Sequence, residues 1–291
     1  MTDYDINIPS TESLFSVKGK IAVITGGSRG LGLSAASALL QAGAAKVYVS
    51  SRKKEACEVA AAALNGLSGL QPGARAISVP ADVATMDGVR TLLAAVQADS
   101  PDGIDILLAN AGATWGAALE QHSDAAIAKV LDLNVRAVFN TVREFAPLLA
   151  ARGSVESPSR ILVTGSVAGL GLGSLGPQAT FGYSASKAAV IHLARNLAVD
   201  LGPRHVTVNA LAPGFFPTKM SQGLLDMAPG GADAVARSNP MRRLGRPADF
   251  GAAVVYLCAP AGSHVNGATL AIDGGAMWAK GELLSVHWSK L

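Results

Sequence analysis

The sequence predicts a single-domain α/β fold built on a doubly wound parallel sheet of seven strands, with helices on both faces. Seven short segments rich in branched aliphatic residues recur along the chain, and segments of helical periodicity separate them. Several apolar segments are nearly continuous, which is typical of parallel strands covered on both faces. A chain of 291 residues with 49% hydrophobic composition can bury one large core, and alternating strands and helices favour the doubly wound arrangement.

Helix and strand positions follow from this alternation. The predicted strands are 21–25, 46–51, 75–83, 105–112, 160–166, 206–214 and 269–275. The predicted helices are 31–42, 53–64, 87–98, 124–151, 183–201 and 247–259, starting near Asp87, at Ser123 or Asp124, and at Pro247. We expect residues 1–17 to be an N-terminal extension, 18–276 the domain, and 277–291 a C-terminal tail.

Composition excludes several classes of function. The chain has a formal net charge of +3 with scattered cations and few aromatic residues, so we expect no nucleic-acid binding. The sequence has no run of 18 apolar residues, which argues against a membrane span. Cys57 and Cys258 are far apart and suggest reduced structural thiols. The histidines lack the spacing of metal ligands, so no metal site is predicted.

Both ends of the sequence bear on localisation. The first residues, MTDYDINIPSTES, resemble neither a secretory signal nor a transit peptide. The last three, Ser289-Lys290-Leu291, match the address that the peroxisomal import receptor reads at an exposed C-terminus, although a tail can end this way by accident. We expect a peroxisomal matrix protein, or otherwise a cytoplasmic one.

A glycine-rich turn joins the first predicted strand to the first long helix. It contains Gly26, Ser28, Arg29, Gly30, Leu31 and Gly32. Glycines allow a tight turn and let the backbone approach a pyrophosphate, while the helix N-terminus favours negative charge. The GxxxGxG spacing differs from the GxGxxG fingerprint, but its position between strand and helix predicts a dinucleotide site.

The end of the second strand indicates which dinucleotide binds. An acidic residue there would bond the ribose 2′-hydroxyl, whereas arginine accommodates a 2′-phosphate. The chain has Ser51, Arg52 and Lys53 there, with no acid before Glu55, and Arg29 adds another cation. This pattern favours NADP(H) over NAD(H), unless these cations are ordinary solvated side chains.

The segment YSASK places Tyr183 and Lys187 four residues apart, on one face of a predicted helix. A nearby ammonium favours the phenolate and should lower the pKa of the tyrosine. Ser166, which follows a predicted strand, would reach the same substrate oxygen. The glycine-rich insertion 169–180 lies between them, and we expect it to bulge outward so that both hydroxyls meet.

A second long connection, 215–245, leaves the carboxyl end of the sixth predicted strand and resembles a substrate lid, although a mobile surface loop remains the alternative. Aromatic and apolar side chains near the expected cleft mouth could line a pocket for an acyl or polycyclic group. They could equally be ordinary core residues. These residues are Trp115, Phe215, Phe216, Met220, Leu224, Leu225 and Met227.

Taken in order, several motifs resemble those of the short-chain dehydrogenase/reductase family, whose fold is of the Rossmann type. They are the glycine turn, Asp82-Val83, Asn110-Ala111-Gly112, Asn134, Ser166, YSASK and Pro213-Gly214, covering about residues 18 to 276. The segments GATWGAALE, GSVAGL, APGFFPTKM, NPMRRLGRP and AIDGG look most similar to 3-oxoacyl-thioester reductases of the rhamnolipid-biosynthesis type.

The resemblance assigns expected roles to cofactor residues. Asp82 and Val83 would hold the adenine; the alternative role for Asp82 is to cap a turn. Asn110, Ala111 and Gly112 would line the cofactor cleft; the alternative role for Asn110 is to hold the bend at Ala111 and Gly112. The residues expected to border the nicotinamide carboxamide and diphosphate are Pro213, Gly214, Phe216 and Thr218.

The resemblance also implies a catalytic set and a reaction. Tyr183 would donate a proton to the reduced carbonyl, with Ser166 stabilising the oxygen and Lys187 holding the nicotinamide ribose. Asn134 would organise the water that reprotonates Lys187, unless it is only a helix-bending residue. We expect an NADPH-dependent reductase of a 3-oxoacyl thioester. Alternatives are a reductase of a secondary-metabolite ketone and a non-redox cofactor-binding protein. The family precedent implies a homotetramer joined through its long helices and C-terminal strand, with 124–151 and 183–201 supplying the four-helix contacts.

Overall fold

A computed structural model of the chain describes residues 8–227 and 230–279. Its strands are Ile21–Thr25 (β1), Lys46–Ser50 (β2), Arg75–Ser78 (β3), Ile106–Ala109 (β4), Ser159–Thr164 (β5), Val206–Pro213 (β6) and Thr269–Ile272 (β7). They form one parallel sheet in the order β3-β2-β1-β4-β5-β6-β7. The predicted seven-stranded, doubly wound sheet is therefore confirmed.

Helices pack against both faces of this sheet. The α-helices of the described residues are Thr11–Leu14 (α1), Gly30–Gln41 (α2), Lys54–Asn65 (α3), Met86–Asp99 (α4), Asp124–Leu131 (α5), Ala137–Arg152 (α6), Phe181–Leu201 (α7), Lys219–Met227 (α8), Gly231–Ser238 (α9) and Pro247–Cys258 (α10). The side chain of Ser123 accepts a hydrogen bond from the amide of Ala126, which explains why α5 begins at Asp124. Helix α10 begins at Pro247, as predicted.

The predicted continuous helix 124–151 is interrupted in the structure. A π-helical turn, Asp132–Arg136, joins α5 to α6. Such turns insert an extra residue into a helix and redirect its side chains. Asn134 lies in this turn, and its carboxamide faces inward, where it bonds to the backbone of Ala113. Periodicity in the sequence could not reveal the break because apolar residues continue through it.

Three predicted strands are shorter than expected, because β3, β4 and β7 end at Ser78, Ala109 and Ile272. The chain leaves the sheet after Ser78 and Ala109, although apolar residues continue beyond both positions. After β4, Asn110 bonds through its side-chain amide to the carbonyl groups of Thr25 and Gly26, which turns the chain away from its neighbouring strand. These strand ends lie at the same edge of the sheet, where the structure forms a large cavity.

The sheet separates two apolar layers. One contains Leu107, Phe145 and Val190 and lies beneath α4, α6 and α7. The other contains Leu39 and Phe250 and lies beneath α2, α3 and α10. Both faces are thus covered, as the nearly continuous apolar strands predicted. The result is a rigid support for residues at the carboxyl edge.

The predicted lid region is partly helical, since α8 and α9 fall within 215–245. Within the described ranges, no helix has the length and apolar character needed to cross a bilayer. Cys57 and Cys258 are both buried free thiols. The tripeptide Ser289-Lys290-Leu291 lies outside the described residues.

Candidate active site

A cavity of about 870 Å³ opens at the carboxyl ends of the strands, where the strand order reverses between β1 and β4. Nearly all residues singled out in the sequence line it. They are Gly26, Ser28, Arg29, Gly30, Leu31, Ser51, Arg52, Lys53, Asp82, Val83, Asn110, Ala111, Gly112, Ser166, Tyr183, Lys187, Pro213, Gly214, Phe216 and Thr218. Gly32 and Asn134 lie behind the cavity wall.

The glycine turn is held in a conformation that side chains would obstruct. Gly26 and Gly30 have φ values of 64° and 53°, in the left-handed region that favours glycine. A Cβ on Gly32 would collide with the carbonyl oxygen of Gly26 and come within 2.7 Å of Asn110 Nδ2. Gly32 therefore allows α2 to approach the turn closely, without itself lining the cavity.

The beginning of α2 suits an anionic ligand. Arg29 occupies the N-cap position with an extended backbone, and no side chain in the described part of the chain caps the first amide groups of the helix. These amides and the positive end of the helix dipole face the cavity, beside the left-handed glycines. The residues present therefore fit the diphosphate of a dinucleotide.

Cations lie at the far end of the same cavity. Arg29, Arg52 and Lys53 line it, and none of them forms an ion pair among residues 8–227 and 230–279. The hydroxyl of Ser51 lies 3.0 Å from the Cys57 thiol, so this end of the cavity also contains a fixed polar group. The arrangement fits a phosphate monoester better than an uncharged ribose hydroxyl.

Asp82 and Asn110 combine structural contacts with positions at the cavity wall. The Asp82 carboxylate accepts a hydrogen bond from the amide of Ala84 at 3.2 Å, which is the turn-capping role considered from the sequence. Val83 lies beside it and is buried. Asn110 accepts at Oδ1 from the Thr164 hydroxyl at 3.1 Å, which links the ends of β4 and β5.

The catalytic candidates converge where β5 meets α7. Ser166 follows β5, while Tyr183 and Lys187 lie one turn apart on α7, with Lys187 Nζ 5.6 Å from the centre of the tyrosine ring. Lys187 is buried, and its Nζ donates a 2.6 Å hydrogen bond to the carbonyl of Thr164. Two hydroxyls and an ammonium therefore share one wall of the cavity.

The pKa of Tyr183 differs from the sequence-based expectation. Burial raises the pKa of this phenol above its ordinary value, and hydrogen bonding with Ser166 only partly opposes that rise. Burial also lowers the pKa of Lys187 to about 8. The expected lowering of the phenol's pKa by Lys187 is thus not found in this structure, because burial raises this pKa and the hydrogen bond with Ser166 is what opposes the rise. The raised pKa keeps Tyr183 in its proton-donating form.

Asn134 lies behind the pair, in the π-helical turn. Its Oδ1 accepts from the amide of Ala113 at 2.8 Å, and its Nδ2 donates to the Ala113 carbonyl and the Ser186 hydroxyl at 2.9 Å each. A Cβ on Gly112 would lie 3.1 Å from Asn134 Oδ1 and 3.7 Å from Lys187 Nζ. Asn134 thus fixes the chain beside the lysine, and its role in a water relay stays a prediction.

The lid contributes to the cavity lining mainly through its first ten residues, 215–224. Phe215, Met220 and Leu224 line the cavity, as anticipated for an apolar pocket. Phe216 touches it too, but its ring packs edge-on against Phe250 at 6.2 Å between centres. Leu225 is buried, and Trp115 is half exposed and does not line the cavity.

The insertion 169–180 does not simply bulge outward. Leu172, Gly173 and Ser174 line the cavity, so the insertion forms part of its wall while leaving Ser166 and Tyr183 together. Its end is fixed by a backbone bond from Ala117 to the carbonyl of Ala179. Four of the five residues between the end of β5 and Leu170 are small, which allows the chain to follow this path along the cavity wall. They are Gly165, Ser166, Ala168 and Gly169.

Three supporting residues were not identified from the sequence. Thr25 Oγ1 accepts hydrogen bonds from the amides of Asn110 and Ala111, and the Thr164 carbonyl binds Lys187. Ser186 donates to the Tyr183 carbonyl and accepts from Asn134. The positions of Thr25 and Thr164 at strand ends, and of Ser186 within YSASK, were the available signals. Within the described part of the chain, no three side chains of metal-binding type cluster together.

Comparison with known proteins gives consistent relatives. Residues 26–277 match the family model described as enoyl-(acyl carrier protein) reductase. The rhamnolipids biosynthesis 3-oxoacyl-[acyl-carrier-protein] reductase of Pseudomonas aeruginosa is 40% identical over 261 residues, covering 90% of this chain and 97% of that protein.

Solved structures agree with this relationship. The Pseudomonas aeruginosa RhlG/NADP active-site complex has a TM-score of 0.83 and 39% identity, covering 91% of this chain and 99% of its own. A gluconate 5-dehydrogenase from Burkholderia cenocepacia, in complex with NADP and tartrate, has a TM-score of 0.81 and 30% identity, covering 93% and 100%. Together with the parallel sheet and the Ser166, Tyr183 and Lys187 cluster, these matches show that the chain belongs to the short-chain dehydrogenase/reductase family of oxidoreductases.

Proposed function

We propose that the protein is an NADPH-dependent reductase of a ketone, most specifically the ketone of a 3-oxoacyl thioester. The observation that carries this proposal is the convergence of Ser166, Tyr183 and Lys187 on one wall of a cavity whose other end suits a dinucleotide. A non-redox protein would not require a protonated phenol next to a buried amine. The geometry therefore favours carbonyl chemistry.

Bound NADPH would supply a hydride to the carbonyl carbon, leaving NADP⁺. Negative charge then develops on the carbonyl oxygen, where the hydroxyls of Ser166 and Tyr183 can donate hydrogen bonds. Tyr183 transfers its proton to that oxygen, and the product is a secondary alcohol. Lys187, with a pKa of about 8, can return a proton to the tyrosine near neutral pH.

The cations support NADPH as the cofactor. Arg29, Arg52 and Lys53 would hold a 2′-phosphate, whereas an NAD-selective site places a carboxylate at the end of β2. Gly26 and Gly30 would accommodate the diphosphate through their backbone. Two of the similar solved structures contain NADP, which agrees with this choice.

The substrate end of the cavity supports a largely uncharged ketone. Around Ser166 and Tyr183, the described lining comes from apolar or small residues, which include Val167, Ala168, Leu172, Phe215, Met220 and Leu224. The Lys187 ammonium already donates a hydrogen bond to the Thr164 carbonyl. Lys219 follows Thr218, and the methyl group of Thr218 lies near the glycine turn. These apolar residues do not match a free carboxylate such as that of gluconate, although Lys219 also lines the cavity. A thioester's acyl chain fits this surface better.

The proposal is tested by following absorbance at 340 nm with NADPH or NADH and a panel of 3-oxoacyl-CoA thioesters and cyclic ketones. Oxidation of NADPH on the thioesters, faster than that of NADH, is the expected result. If NADPH binds but only cyclic ketones are reduced, the substrate is a secondary-metabolite ketone. If NADPH binds and no ketone is reduced, the reductase proposal is wrong.

Localisation to peroxisomes is a further proposal that rests on Ser289-Lys290-Leu291. A fluorescent protein carrying residues 277–291 at its C-terminus is expected to enter peroxisomes, and the same fusion with Leu291 deleted is expected to stay diffuse. Equal distributions of the two fusions would contradict the proposal.

A further inference from the structure

The insertion 169–180 contains an apolar side chain in an unusual position. Leu172 lines the cavity, yet its relative exposure is 85%. A leucine at this position contacts mostly water in the free protein, and an apolar ligand that covers it would recover the corresponding hydrophobic free energy. The insertion therefore presents an uncovered apolar group to whatever enters the cavity.

The base of this insertion is fixed, which lets its exposed part act as a wall. The amide of Thr180 donates to the carbonyl of Ser174 at 2.9 Å, and the amide of Ser174 donates to Thr180 Oγ1 at 3.2 Å. His122 Nε2 lies 3.0 Å from the carbonyl oxygens of both Ala117 and Ala179. These contacts join the end of the insertion to the chain after β4.

The lid supplies further apolar lining residues of the same cavity. Phe215 and Met220 line it, and each remains partly exposed. Leu224, one turn further along α8, also lines the cavity. With Leu172, they give apolar lining from two separate segments, the insertion and the lid. Such a surface suits a chain of methylene groups.

We propose that Leu172 determines substrate specificity by binding the apolar tail of the substrate, so that the enzyme prefers 3-oxoacyl thioesters with long acyl chains. This inference rests on the proposed reduction of 3-oxoacyl thioesters. Tail binding is made equally in the bound substrate and in the transition state, so its loss raises KM and leaves kcat nearly unchanged. We expect a short acyl chain to end before it reaches Leu172 and to gain nothing from it.

The test compares Leu172→Ser with Leu175→Ser. Leu175 belongs to the same insertion and is also exposed, but it does not line the cavity, so its replacement is a matched control. Neither change removes a buried side chain, and both variants should fold. Leu172→Met is a third variant, which keeps an apolar side chain of similar size. Each protein is assayed with 3-oxododecanoyl-CoA and 3-oxobutanoyl-CoA.

We expect Leu172→Ser to raise KM for 3-oxododecanoyl-CoA by about 10-fold, the lower range for loss of an apolar contact in a binding pocket. KM for 3-oxobutanoyl-CoA should not change, and Leu175→Ser and Leu172→Met should resemble the parent enzyme with both substrates. Equal constants for the parent and Leu172→Ser on the long substrate would overturn the role of Leu172 while leaving thioester reduction intact. Failure of the parent enzyme to reduce either thioester would overturn the proposed function and this inference together.

Discussion

At the scale of single residues, Tyr183 has the most direct proposed role. Replacing it with phenylalanine keeps the ring on α7 but removes the proton donor. We expect Tyr183→Phe to lower kcat by about 10²- to 10⁴-fold, the usual contribution of a general acid, with little change in the Kd for NADPH. Tyr256→Phe, a half-buried ring that packs on Phe15, serves as the control. Unchanged turnover of Tyr183→Phe would contradict the assigned role.

Arg52 tests the basis of cofactor choice. Arg52→Asp replaces a cavity-lining cation with a carboxylate that would repel a 2′-phosphate and accept a ribose hydroxyl. The ratio of kcat/KM for NADPH to that for NADH should fall by about 10- to 100-fold, consistent with a charge-assisted hydrogen bond of about 1.5–3 kcal/mol. Arg90→Asp, on the exposed side of α4, should leave the ratio unchanged. An unaltered ratio in Arg52→Asp would mean that other residues hold the phosphate.

Lys187 should make stability depend on pH. Its pKa of about 8 in the folded protein lies below the ordinary 10.5, so between these values the unfolded chain binds more protons than the folded one. Stability from this group therefore rises with pH from about 8 to 10.5, by a maximum of about 3 kcal/mol. In Lys187→Met this rise should be absent, so melting temperatures of the parent and variant should diverge in favour of the parent across that window.

Lys129→Met is the control for this measurement because Lys129 lies exposed on α5. Its melting temperature should follow that of the parent enzyme at every pH. Other buried groups, such as Tyr48 and Cys258 with pKa values raised to about 12, affect parent and variants alike and cancel in the difference. Parallel curves for the parent and Lys187→Met would show that the lysine is not desolvated.

At the scale of structural elements, the join between β1 and α2 depends on Gly32. A Cβ there would meet the backbone of Gly26 and the side chain of Asn110, neither of which can move without disturbing the turn. We expect Gly32→Ala to destabilise the fold by about 1–3 kcal/mol and to weaken NADPH binding, both measurable by thermal unfolding with and without NADPH.

A matched glycine replacement is available in α8. A Cβ on Gly223 would meet no atom of residues 8–227 or 230–279 within 4 Å, and alanine favours the helix by about 0.5–1 kcal/mol. Gly223→Ala should therefore be neutral or stabilising and should not affect NADPH binding. If Gly32→Ala behaved in the same way, the close approach of α2 to the turn would not be essential.

Elements with one dominant local signal could be predicted from the sequence. All seven strands occur where aliphatic runs predicted them, and Ser123 and Pro247 mark helix starts through capping and fixed φ. The π-helical turn around Asn134 could not be predicted, since it depends on bonds to Ala113, 21 residues away in the chain. The path of the insertion 169–180 likewise depends on a contact with Ala117, which local sequence does not specify.

At the scale of the whole molecule, topology explains why the site was largely predictable. Parallel strands place their carboxyl ends at one edge, so residues that follow different strands meet there whatever their separation in sequence. Ser51, Asp82, Asn110 and Ser166 come together in this way. The pKa of Tyr183 was not predictable, because it depends on how far the folded chain shields the phenol from water, which no short motif encodes.

Assembly of the molecule is also open to a direct test. Phe139 on α6 and Val199 on α7 are large apolar side chains that remain exposed, on the two long helices expected to form a tetramer. Such residues favour a protein interface when they lie on adjoining copies.

We expect light scattering to show a tetramer for the parent protein and a smaller species for Phe139→Glu, because a carboxylate at an apolar interface loses its water without gaining a partner. Val155 is also an exposed apolar residue, but it lies in the loop after α6. The Val155→Glu variant should therefore remain tetrameric. A monomeric parent protein would exclude the tetramer. A Phe139→Glu variant that keeps the mass of the parent assembly would place the association surface elsewhere.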